Sequence, residues 1–200
     1  MHQDPRPPLY RAYDQAAAVI ARVTPADFGR PTPCVDYDVH TLLGHVLFAA
    51  RRAARIARRE DVTEATALIV GIPDHGWSAA FDEARQDAFA GWKDDTLLTA
   101  ELVLPFGTFP GAVVAGIYTL ELVTHSWDLA VATGQVDDLD PELAEGSLAA
   151  ARMVLPPDPR GGEMPFGPVI PIDEAAPVYD RLAAWLGRVP TFTPAGHPAG

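Results

Sequence analysis

Prolines cut this chain into helix-length blocks, and that partition constrains its fold more than any other feature. Its twenty prolines fall mostly in clusters, with long proline-free stretches between them. A proline inside a helix removes a hydrogen bond and clashes with the preceding turn, so each cluster predicts a loop or a helix start. Apolar residues then decide what each block becomes. Leu9, Tyr10, Tyr13, Ala17, Ile20 and Val23 recur near one face and predict a helix from about Pro8 to Val23. Prolines 25, 31 and 33 force the loop that follows.

A second helix is predicted from about Val39 to Glu60, with Asp38 as N-cap and Asp36 as the other candidate. Leu42, Leu43, Val46, Leu47, Ala50, Ala53 and Ile56 form its apolar side. Its C-terminal half carries Arg51, Arg52, Arg55, Arg58 and Arg59, which read as a solvated face near the negative end of the helix dipole. A third helix is expected over Trp77 to Trp92. The segment LLTAELVLPFGTF, with its Pro-Phe-Gly turn, reads as a short hairpin or loop. Pro110 and Gly111 open a fourth long helix, about Ala112 to Thr133, which Gly134 ends. A fifth runs from Pro141 to about Met153. PPDPRGGEMPFGPVIPID is too rich in Pro and Gly for regular structure, and a last short helix spans Ala175 to Leu186. The expected fold class is mainly α: a four-helix bundle with a short β-hairpin or loop insertion and a C-terminal helical extension. One domain is expected over 1–200, with the bundle at about 8–134, the extension at about 135–190 and a frayed tail at 191–200.

The net charge of −12 repels phosphate backbones, which argues against nucleic-acid binding. No apolar run reaches the roughly 18 residues of a membrane span. MHQDPRPPLY lacks the basic-then-apolar order of a secretory signal, so a soluble cytoplasmic protein is expected. The single cysteine, Cys34, has no intramolecular partner, which fits a reducing compartment. No histidine stands near it in sequence to activate it, and a structural role is expected.

Two polar residues interrupt apolar stripes. On the fourth helix Val114, Ile117, Tyr118, Glu121, His125 and Leu129 share a stripe, and Glu121 stands where an apolar residue belongs. A carboxylate there must be protonated, paired or bound to a metal. His125, four residues on, lies one turn away on the same face. His45 is the same kind of exception on the stripe Leu42, His45, Ala49, Ile56. Two imidazoles and a carboxylate on facing helices match the ligands of catalytic zinc; the set also suits non-haem iron or nickel, so ligand type alone does not fix the ion. The bland alternative, a hydrogen-bonded core histidine beside a chance Glu-x-x-x-His pair, stands level with the metal reading on pattern alone. Asp128 either orients a ligand imidazole or sits on the helix surface. Trp127 is expected to pack, His40 to lie at the surface, and Arg181 and Arg188 to face solvent rather than an anionic substrate.

TPCVDYDVHTLLGHV, followed by PGAVVAGIYTLELVTHSWDLAVATGQ, resembles the DinB-like bundle proteins of actinobacteria. The likeness is strongest to the branch of mycothiol-dependent maleylpyruvate isomerase. The ending FGPVIPIDEAAPVYDRLAAWLGRVP resembles a subfamily described mostly as metal-binding proteins. The resemblance covers about Leu9 to Pro190. It implies a DinB-like four-helix bundle with a divalent metal, zinc first, on His45, Glu121 and His125. It also implies a low-molecular-weight thiol, mycothiol, used with a small electrophile in S-transfer or isomerisation. The isomerase carries a further C-terminal domain where this chain has only about 65 residues after Gly134, so maleylpyruvate isomerisation itself is not expected. A metal-dependent hydrolase of the same fold and a non-catalytic metal- or ligand-binding module are the alternatives. The oligomeric state, monomer or homodimer, is left open by the sequence.

Overall fold

The computed structural model describes residues 4–63, 67–160 and 166–193. Helix α1 (Arg6–Ile20) packs against α3 (Trp77–Gly91) and α4 (Gly111–Thr133). Helix α2 (Val39–Ala57) touches the same two neighbours. Those four contacts close a ring, so the four helices form a bundle around one core. Each helix contributes the apolar residues its sequence period promised. Tyr13, Phe81, Trp92, Leu42 and Leu122 are almost wholly buried, and each such side chain contributes about 1.5–3 kcal/mol. The two large aromatics with polar atoms are satisfied by α2: the Tyr13 hydroxyl donates to the Ala50 carbonyl at 2.9 Å, and Trp92 Nε1 to that of Ala53 at 3.2 Å.

Between α3 and α4 the chain makes a 3-10 turn over Asp95–Thr99. A hairpin follows, with β1 (Glu101–Leu104) antiparallel to β2 (Gly107–Pro110). Leu104 pairs with Gly107 across a two-residue Pro-Phe turn. Helices α5 (Pro141–Val154) and α6 (Val178–Trp185) pack on one another, and both also touch α4. This places α4 between the ring and the extension, and it is buried on nearly every side. The single stripe expected on α4 is therefore too narrow: Ser126, Trp127 and Asp128, off that stripe, are buried as well.

Other boundaries moved for local reasons. Asp38, not Asp36, caps α2 and accepts from Thr41 N at 2.8 Å. The α2 helix ends at Ala57 rather than Glu60 because Arg59 turns the chain at φ 60. The α1 helix begins at Arg6 and tolerates Pro7 and Pro8 in its first turn, where no helical N–H bond is lost, and it stops at Ile20 instead of Val23. Helix α6 starts at Val178, not Ala175, because Pro177 disfavours helical backbone at Ala176. The described parts of the proline-rich stretch 156–173 hold no helix or strand, as expected, while 161–165 lie outside the described residues. Most of the expected frayed tail, 194–200, also lies outside them. No helix among the described residues is long and apolar enough to cross a membrane.

Candidate functional site

Helices α2 and α4 face one another in the ring, and their two polar interruptions meet. His45 Nε2 lies 2.9 Å from Glu121 Oε1, and His125 Nε2 lies 3.6 Å from the same oxygen. The two imidazole rings stand edge to face, 4.8 Å between centroids. Ligands of a tetrahedral zinc are about 3.3–3.4 Å apart, so these spacings suit a single small cation.

The outer nitrogen of each ring decides what the inner one offers. His45 Nδ1 is 3.1 Å from the Ala67 carbonyl, which can only accept, so Nδ1 carries a hydrogen. His125 Nδ1 is 2.9 Å from Asp128 Oδ2 and is a donor for the same reason. Glu121 likewise can only accept, so with no cation bound His45 Nε2 donates to it at 2.9 Å; once that proton leaves, both Nε2 atoms present lone pairs toward one point. Three electron-rich atoms converge, and only a proton or a metal cation between them makes that arrangement favourable. Burial alone would lower the His45 pKa, yet the hydrogen bond and charge of Glu121 raise it above the ordinary imidazole value. Burial likewise opposes ionisation of Glu121. His125, His45 and Arg188 outweigh it and pull the carboxyl down to about 2. Glu121 is thus an ionised carboxylate paired with two imidazoles, a group of three that could hold a metal ion.

Asp128 is fully buried, not at the helix surface. Arg188 Nε donates to both of its oxygens, at 2.8 and 3.0 Å. Burial would raise the Asp128 pKa, but Arg188 and His125 hold it below the usual carboxylate range. Arg188 was expected in solvent; its side chain is only 12% exposed and reaches the centre from beyond α6. A close backbone crossing brings it there. Gly187 adopts φ 79, and a Cβ on it would lie 2.6 Å from Gly167. The neighbours of these glycines, Phe166 and Arg188, consequently line the same cleft. Arg181, by contrast, pairs with Glu145 at 2.8 Å and Glu174 at 3.6 Å, away from the cleft wall. His40 is exposed and stacks on Phe28, and Trp127 is packed in the core, both as expected.

The cleft holds about 320 Å³ above Glu121, whose side chain is 34% exposed. Tyr37, Ile117, Leu120 and Phe166 supply apolar wall, and Thr124 contributes a buried hydroxyl with no partner among the described residues. Cys34 also lines it, with its sulfur within 4.8 Å of ligand atoms of His125 and Asp128. The histidine that sequence proximity did not offer is supplied by α4. Burial, reinforced by Asp128, pushes the thiol up to about 11, so Cys34 is neutral at physiological pH. Phe166, Tyr37 and the Ala67 carbonyl went unread in the sequence. Only TPCVDY, immediately before the α2 cap, hinted that Cys34 and Tyr37 would sit near His45.

A family model described as the mycothiol maleylpyruvate isomerase N-terminal domain matches residues 9–130. Two proteins described as uncharacterized, from Mycobacterium tuberculosis strains CDC 1551 / Oshkosh and H37Rv, are each 39% identical over 185 residues. Each match covers 92% of this chain and 98% of the relative. No solved structure matches the chain significantly.

Proposed function

The chain belongs to the mycothiol maleylpyruvate isomerase N-terminal domain family, and on that premise we propose that it is a metal-dependent, thiol-using S-transferase or isomerase. Its ligands are His45, Glu121 and His125, and its cosubstrate is a low-molecular-weight thiol, mycothiol being the first choice. The observation that carries the reading is the pair of engaged Nδ1 atoms, which turns both Nε2 atoms and the Glu121 carboxylate toward one point. Zinc suits this set best, with iron or nickel as substitutes.

A divalent ion held by His45, Glu121 and His125 would act as a Lewis acid that favours the thiolate form of an entering thiol. The protein's own groups prepare the rest. Ala67 and Asp128 hold the two rings in the binding tautomer. Arg188 uses Nε on Asp128, and its remaining N–H groups have no partner among the described residues. They are suited to an anionic group on the thiol or the electrophile. Phe166, Tyr37, Ile117 and Leu120 exclude water from the nucleophile and take the apolar part of the electrophile. Cys34 stays protonated and does not compete as a nucleophile. A reducing cytoplasm, where such thiols abound, is the matching location.

Metal analysis of purified protein tests the centre. Stoichiometric zinc, iron or nickel is expected in the wild type, and its loss is expected in His45→Ala and Glu121→Ala. Both variants retaining full metal would exclude these ligands. Turnover of an electrophile panel only when mycothiol is present supports the thiol reading, whereas hydrolysis without any thiol replaces it with a metal-dependent hydrolase.

A further inference from the structure

Glycine costs a helix interior up to about 1 kcal/mol relative to alanine, yet Gly44 sits inside α2 directly before His45. Its surroundings explain the choice. The backbone following α2 returns across the helix at this point, and Ile69 N–H donates to the Gly44 carbonyl at 3.1 Å. Two residues earlier on the same strap, the Ala67 carbonyl accepts from His45 Nδ1 at 3.1 Å. A Cβ on residue 44 would fall well inside contact with the Ile69 carbonyl oxygen. That oxygen is backbone and cannot rotate aside, so the strap itself would have to retreat by roughly 1 Å to restore van der Waals distance. The His45 hydrogen bond has no such slack, because beyond about 3.5 Å it ceases to be one.

We propose that Gly44 is a positioning residue of the metal centre: its missing side chain lets the 67–69 backbone settle on α2, where the Ala67 carbonyl fixes the His45 ring. The proposal rests on the His45–Glu121–His125 reading. It adds that the α2 half of the centre is set by a main-chain contact that no side chain of residue 67 encodes. Without that acceptor the Nδ1–H form, the one whose Nε2 is free for an ion, loses its support.

Two substitutions release the strap by different routes. Gly44→Ala pushes it away, and Ile69→Pro removes the N–H that anchors it. Gly91→Ala is the control: a Cβ there lies 2.6 Å from Ala57 Cβ, a comparable insult between α3 and α2 remote from the strap. Zinc affinity is read by chelator competition. In zinc-bound protein, where the ion occupies Nε2, the His45 Nδ1–H is read by ¹⁵N–¹H correlation and its exchange with water is timed. Zinc binding should weaken by about 10–100-fold in the two strap variants, the usual cost of losing a ligand's supporting hydrogen bond. Their His45 Nδ1–H should exchange faster with water, while Gly91→Ala keeps wild-type affinity and a protected Nδ1–H. If Gly44→Ala fails to fold, Ile69→Pro carries the test alone. Wild-type zinc affinity and a protected Nδ1–H in the folded strap variants would overturn the role of Gly44. A wild type that binds no zinc would instead overturn the metal reading, and the role of Gly44 with it.

Discussion

The two walls of the cleft hold their histidines by unlike means. On the α2 wall a neutral main-chain carbonyl, borrowed from a loop, accepts from His45. On the α4 wall a fully buried carboxylate does the same for His125 and is itself neutralised by Arg188 from the far end of the chain. The first arrangement carries little charge, so disturbing it should cost alignment more than stability. The second buries a charge pair, so breaking it should cost stability first. The centre is thus fitted on one side and welded on the other.

The largest expected effect lies on the α4 wall. Asp128→Ala leaves the Arg188 guanidinium buried without its partner and should lower unfolding free energy by about 3–5 kcal/mol in urea titrations. A loss near that of an ordinary surface change, about 0.5 kcal/mol, would break the contrast. Acid applies the same lesion gradually. The Asp128 pKa is lowered in the folded state, so its contribution is complete above the unfolded value near 4. It is lost as pH falls through the lower folded value. Metal-free wild type should therefore lose stability in that window, and Asp128→Asn should flatten the part of the curve due to this group.

Next in size is the anchor of the Arg188 segment. The Tyr179 hydroxyl on α6 meets Gln15 Oε1 at 3.1 Å and the Asp140 carbonyl at 3.0 Å. Tyr179→Phe should cost about 1–2 kcal/mol by thermal or urea unfolding. The smallest effect belongs to the α2 wall. Asp38→Ala removes the α2 cap and should cost about 1 kcal/mol, with zinc affinity unchanged because the strap and His45 are untouched. A large affinity loss there would show that α2 as a whole, rather than the Gly44 contact, sets His45.

Much of this was written in local pattern. Helical spacing and proline position mark α1 to α5 to within a few residues, and a Pro-Phe-Gly turn marks the hairpin. His45, Glu121 and His125 were legible because a polar residue on an apolar stripe must meet a partner across the core. What surrounds them was not. Asp128 read equally as a ring-orienting residue or as surface until burial beside His125 and Arg188 decided it, and Arg188 looked like solvent until the Gly167–Gly187 crossing turned it inward. Cys34 lacked a histidine only along the chain.

The sequence by itself determined which segments are helical and which three donors point inward, because both follow from periodicity within one element. Only the tertiary structure decided what orients those donors. A carbonyl on a strap, a carboxylate beneath a second layer and an arginine past the last helix act across distances that no local pattern encodes.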